Sequence, residues 1–107
     1  MDDEEISVTE LAELRAAGDA HVLLDVRETW ELAVARLDPC LHVAMGEVSE
    51  RSAEIPRDKP VYVLCHGGVR SGQVVDFLRG QGFGNVRNVR GGIAAWSAEV
   101  DASVPTY

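Results

Sequence analysis

Cys65 is followed by His66, Gly67, Gly68, Val69, Arg70 and Ser71, a run set between the apolar "VYVLC" and the helical pattern "SGQVVDFLRGQG". A cysteine reacts as its thiolate, which positive charge or a helix N-terminus favours. Gly67 and Gly68 leave room for a tight curve in which successive backbone N–H groups point inward as an anion nest. A helix beginning near Ser71 adds the positive end of its dipole. Arg70 adds a permanent charge and a planar fork of donors suited to an oxyanion. The loop therefore favours negative charge at its centre. Cys65 taken alone would read as a core residue, since free cysteine is often buried; the glycines, Arg70 and the helix start make it a candidate nucleophile. His66 reads as an exposed loop residue or a base beside that nucleophile.

Other polar groups read as structural. Asp25 and Arg27 end an apolar run, and with Glu31 one turn later they form a charge and hydrogen-bond network on the same rim as Cys65. His21 and His42 have no cluster and read as strand-edge residues. Cys40 would be a resolving thiol only if it lay near Cys65. A disulfide between the two is not expected in a reducing compartment, and neither lies in a Cys-x-x-Cys pair that would suggest zinc.

The elements that must position these groups alternate. "ISV" (6–8), "HVLLDV" (21–26), "CLHVA" (40–44), "PVYVLC" (60–65) and "NVRNV" (85–89) read as strands. Between and after them, a helix capped by Thr9, "ETWELAVA" (28–35), "MGEVSERSAEI" (45–55), "SGQVVDFLRGQG" (71–82) and "GGIAAWSAEV" (91–100) read as helices. Val74, Val75 and Leu78 share one face of the fourth of these. Strands alternating with helices predict an α/β fold, a five-stranded, mostly parallel sheet with helices on both faces. Ligands gather at the carboxyl ends of such strands, where Cys65 stands.

The 107 residues suit one domain, with "MDDEE" and residues 103–107 expected to be loosely held. The formal charge of −8 argues against nucleic acid and anionic membranes as partners. No apolar run approaches the ~18 to 20 residues that span a bilayer, and the acidic start is unlike a secretory leader, which predicts a cytoplasmic protein.

The chain resembles the rhodanese-like (thiosulfate:cyanide sulfurtransferase homology) domain from about residue 6 to 107. The resemblance rests on "LLDVRETWE", "ARLDPCLHVAMGEV", "VYVLCHGGVRS", "FLRGQGFGNVRNVRGG" and "GGIAAW", in that order. It implies a persulfide-forming cysteine at Cys65 and a loop, His66 through Ser71, whose amides surround the persulfide. Arg70 falls on the loop's common basic residue, Asp25 and Arg27 on an Asp-x-Arg at the second strand, and Gly91, Gly92 and Trp96 on a structural motif. Two departures stand out. The family's "GHIPGA" is "ARLDPC" here, with Arg36 at the histidine position and Pro39–Cys40 at the Gly-Ala pair. The loop reads His-Gly where many relatives have Arg-Ser, so two anion-binding side chains are absent and weaker activity on thiosulfate is implied.

Four residues separate Cys65 from Arg70, the short loop of the sulfurtransferases; related phosphatases and arsenate reductases have one more. The resemblance thus implies a sulfurtransferase, and the protein is expected to be a monomer. A small sulfur anion or persulfide would be its donor and a thiol, cyanide or protein cysteine its acceptor, with no metal or organic cofactor. A non-catalytic binding or regulatory module is the alternative, and a phosphatase or arsenate reductase the less favoured one.

Overall fold

A computed structural model describes residues 4–107. Expectations for the first three residues lie outside them. Strands β1 (Glu5–Ile6), β2 (Val22–Asp25), β3 (Leu41–His42), β4 (Val61–Leu64) and β5 (Val86–Val89) alternate with helices α1 (Val8–Ala16), α2 (Thr29–Val34), α3 (Val69–Gly80) and α4 (Gly92–Glu99). The sheet has the order β1-β5-β4-β2-β3 and every pairing is parallel. The expected α/β architecture with a five-stranded sheet is therefore observed.

Each face of the sheet carries its own core. On one, Val74, Val75 and Leu78 of α3 pack with Val48, Ile55, Val61, Val63 and Cys65. On the other, Val8 and Leu11 of α1 and Ile93 and Trp96 of α4 pack with Leu23, Leu64 and Val89. Central strands covered on both sides explain why β2 and β4 read as unbroken apolar runs rather than alternating ones.

Three local expectations are corrected. Ser7, not Thr9, caps α1: its hydroxyl accepts from the Glu10 amide while the Glu10 carboxylate receives the Ser7 amide, a reciprocal box that stops the first strand at Ile6. Residues 45–55 form two 3-10 turns, Met45–Glu47 and Ser52–Glu54, rather than an α-helix. Only Val48 and Ile55 are buried there, and the Ser52 hydroxyl bonds the Ser49 carbonyl, competing with helical pairing. Finally, Val104 and Tyr107, within the tail expected to be loose, make defined contacts. The Ser97 hydroxyl donates to the Val104 carbonyl at 2.7 Å, and Val104 and Tyr107 pack on the α1/α4 core.

Candidate functional site

Cys65 directly follows β4 and is buried. Helix α3 begins two residues earlier than the pattern suggests, at Val69, with Gly68 as its cap at φ +104°. That left-handed conformation suits glycine, and it turns the Gly68 amide onto Cys65 Sγ at 3.0 Å. The sulfur thus sits at the N-terminus of a 12-residue helix and accepts from its capping residue. His66 and Gly67 form the bend; Val69 lies open to solvent.

Ser71 is fully buried, its oxygen 3.2 Å from Cys65 Sγ and 2.5 Å from Asn88 Oδ1. Asn88 Nδ2 donates to the Gly68 carbonyl at 3.0 Å, which leaves Oδ1 to accept from Ser71. One hydroxyl has one proton. With Cys65 a thiol, S–H donates to Ser71 and Ser71 to Asn88; with a thiolate, the hydroxyl can turn to the sulfur. Asn88 therefore braces both loop and hydroxyl, a role missed from sequence. Its one signal was a polar residue sharing the buried face of β5 with Val86.

The loop is mounted from behind by α4. Ile93 and Ala94 amides donate to the Cys65 and His66 carbonyls at 2.9 and 3.0 Å. Gly92 at φ +61° makes this approach possible, because a Cβ there would lie 2.5 Å from the Cys65 oxygen. The Gly91–Gly92 pair thus supports the loop rather than lining it, while Trp96 packs into the α1/α4 core. Gly92→Ala is expected to cost about 2–3 kcal/mol in a urea titration, from left-handed strain and overpacking, and to lower Cys65 reactivity with iodoacetamide.

Arg27 and Asp25 are fully buried partners. Arg27 Nε and Nη2 donate to the Asp25 carboxylate, Nη2 also to the Ala35 carbonyl, and Nη1 to the Glu31 carbonyl and the Tyr107 hydroxyl. All five donors are used, so this pair is the structural network expected. His42 Nε2 lies 2.7 Å from the Arg27 carbonyl, and His21 Nδ1 lies 2.7 Å from that of Asp19, as strand-edge residues should.

Arg70, the residue expected to orient an anionic donor, is engaged by a carboxylate. Its Nη1 and Nη2 each donate to Glu31 at 2.7 Å, a bidentate clamp. Glu31 is only 3% exposed, and its carboxylate also accepts from the Glu28 amide and the Tyr107 hydroxyl. The Arg70 guanidinium hydrogen bonds hold the Glu31 carboxyl down at about 2, against an ordinary 4.5. The same clamp raises Arg70. A carboxylate with a lowered folded value contributes stability above its unfolded value and loses it as pH falls through the folded one. The advantage in unfolding free energy of wild type over Glu31→Gln, on the order of 2–3 kcal/mol in urea titrations, should therefore fade between pH 4.5 and about 2.

Cys40 is remote. Its neighbour Leu41 pairs with Leu24, whereas Leu64 pairs with Asp25, and Cys40 packs on the opposite face from Cys65. Strand spacing and rise place the two residues roughly 14 Å apart, too far for a bridge. Both cysteines are free, and burial pushes the Cys40 thiol up. Among the described residues, no group of His, Cys, Asp or Glu is placed to hold a metal, and no helix is long and apolar enough to cross a membrane.

The model of the rhodanese-like domain family matches residues 7–99. A sulfurtransferase of Allochromatium vinosum is 37% identical over 93 residues, covering 87% of each chain. The Bacillus subtilis protein YtwF is 37% identical over 99 residues, 92% of this chain and 95% of its own. The crystal structure of a rhodanese-related protein from Thermoplasma volcanium superposes with a TM-score of 0.81 at 31% identity, covering 95% of both chains. The chain belongs to the rhodanese-like domain family, and sulfurtransferases are among the relatives it matches over most of its length.

Proposed function

We propose that the protein is a sulfurtransferase that carries sulfane sulfur as a persulfide on Cys65. The observation that supports this most is the sulfur itself: buried, at the N-terminus of α3, with the Gly68 amide 3.0 Å away and the Ser71 hydroxyl beside it. Negative charge on sulfur, first as thiolate and then as persulfide, is what such donors and a helix dipole stabilise.

The Cys65 sulfur attacks the outer sulfur of the donor as the donor's S–S bond breaks. From thiosulfate, the bonding pair leaves on sulfite; from an organic persulfide it leaves on a thiolate, which takes a proton from solvent. In the second half, cyanide or an acceptor thiolate attacks the outer sulfur of the persulfide, and the electron pair returns to Cys65. The sulfane sulfur passes from one nucleophile to another, and no external oxidant is consumed. Acceptors must come to the sulfur. Trp30 and Val69, 61% and 74% exposed, offer apolar surface for a protein acceptor beside α2 and the loop.

The test is intact-mass spectrometry after incubation with thiosulfate or with an organic persulfide. A gain of one sulfur atom on Cys65, lost on adding cyanide with release of thiocyanate, is the expected result. A protein that gains no sulfur from either donor would sink the proposal and favour a non-catalytic binding module.

A further inference from the structure

The two arginines of this network, Arg27 and Arg70, are already neutralised. Arg27 is paired with Asp25 at 2.7 Å, both fully buried. Arg70, the one cation in the loop itself, is held by both oxygens of Glu31. Glu31 is in turn fixed from above by Tyr107, whose hydroxyl donates to Oε1 at 3.0 Å and accepts from Arg27 Nη1 at 2.9 Å. The Tyr107 ring lies over the His66 ring, centroids 4.3 Å apart, and meets the Trp30 ring edge-on at 5.8 Å. What attracts an anion to Cys65 is then the backbone N–H groups and the end of α3, equivalent to about half a positive charge. The reacting sulfur takes up much of that. A dianion arriving there would find no unpaired cation on the loop, whereas an aromatic wall of Trp30, Tyr107 and His66 suits the carbon stem of a thiol.

We propose that Glu31, clamped by Tyr107, is the specificity-determining residue of this site: by cancelling the Arg70 charge it turns the site from dianionic thiosulfate toward monoanionic organic persulfides. The inference rests on the reading of Cys65 as a sulfur acceptor. Glu31 acts through Arg70 and touches no reacting atom, so it is a positioning residue.

Three proteins decide it: Glu31→Gln, Tyr107→Phe, and the double variant Glu31→Gln/Arg70→Gln. Persulfidation of Cys65 is followed with thiosulfate and with the persulfide of 2-mercaptoethanol, whose stem is uncharged. Glu31→Gln frees the Arg70 charge and is expected to lower KM for thiosulfate about tenfold or more, with kcat little changed. Its KM for the organic persulfide should stay within about threefold, since a monoanion gains less. The gain should shrink with added salt and vanish in the double variant. Tyr107→Phe, which leaves the Glu31–Arg70 pair in place but unbraced, should move thiosulfate KM the same way by a few-fold. Inert sulfate provides a readout independent of turnover: it should protect Cys65 from iodoacetamide in Glu31→Gln at lower concentrations than in wild type.

An unchanged thiosulfate KM and unchanged sulfate protection in Glu31→Gln would overturn the inference while leaving the sulfurtransferase reading intact. Should Glu31→Gln fail to fold, Tyr107→Phe decides by the direction of its shift. Absence of persulfide with both donors in every protein would overturn the functional reading instead, and sulfate protection would still report on the charge.

Discussion

A Cys65→Ser protein is expected to gain no sulfur from thiosulfate or any organic persulfide, with turnover reduced by at least about 10^4-fold. Serine oxygen fits where the sulfur sits and can accept the Gly68 amide, so the fold should survive at a cost of about 1 kcal/mol. What serine lacks is the chemistry. A hydroxyl is not ionised near neutral pH, and an oxygen–sulfur bond would not hold sulfane sulfur for transfer. The measurement is intact mass before and after exposure to donor, beside urea unfolding of both proteins. Stability close to wild type with all sulfur uptake lost isolates Cys65 as the acceptor. An adduct that persisted in the variant would place the acceptor elsewhere, and Cys40 is the other thiol in the chain.

The second large effect is on stability rather than chemistry. Asp25→Ala should destabilise the protein by about 3–5 kcal/mol, a large share of the roughly 5–15 kcal/mol that holds a domain together. The reason is the charge left behind. Arg27 is fully buried and would keep a guanidinium whose Nε has lost its acceptor. Losing Asp25 should also disturb the site at one remove, because the same guanidinium holds Tyr107 and the Glu31 carbonyl. Asp25→Leu combined with Arg27→Met removes both charges and should recover much of the loss, as apolar replacements of buried pairs often do. Urea midpoints of the three proteins check this. A double variant no better than Asp25→Ala would mean that the network's hydrogen bonds to Ala35 and Tyr107, rather than the stranded charge, dominate.

What the sequence revealed of the site follows the range of the interactions. The Cys65 loop was legible because its parts are contiguous: strand end, glycine, helix start and Arg70 lie within six residues. The sheet was legible for a similar reason, since buried parallel strands are apolar along their whole length. The partners of Arg70 and Ser71 were not. Glu31 lies 39 residues from Arg70, Asn88 is 17 from Ser71, and Tyr107 is 76 from Glu31. No local pattern records such pairings. Tyr107 in particular sits in a segment whose composition reads as loose, and it is held by a buried carboxylate and a guanidinium at its hydroxyl and by His66 and Trp30 at its ring. Residues 45–55 misled in the opposite way. Their spacing is helical, but with Val48 and Ile55 as the buried anchors there is too little apolar surface to sustain a continuous helix.

The attachment of the cysteine loop to the first amides of α4 bears on how quickly Cys65, as the proposed acceptor, would take up sulfur. Because the Cys65 and His66 carbonyls are already bonded to Ile93 and Ala94, the loop loses its conformational freedom during folding, not on meeting a donor. On the proposed reading of Cys65, sulfur uptake is expected to need no ordering step, with encounter and bond exchange setting its rate. The signature is in hydrogen exchange. The Ile93 and Ala94 amides should exchange as slowly as those of the central strands, with protection unaltered whether or not the cysteine carries its cargo.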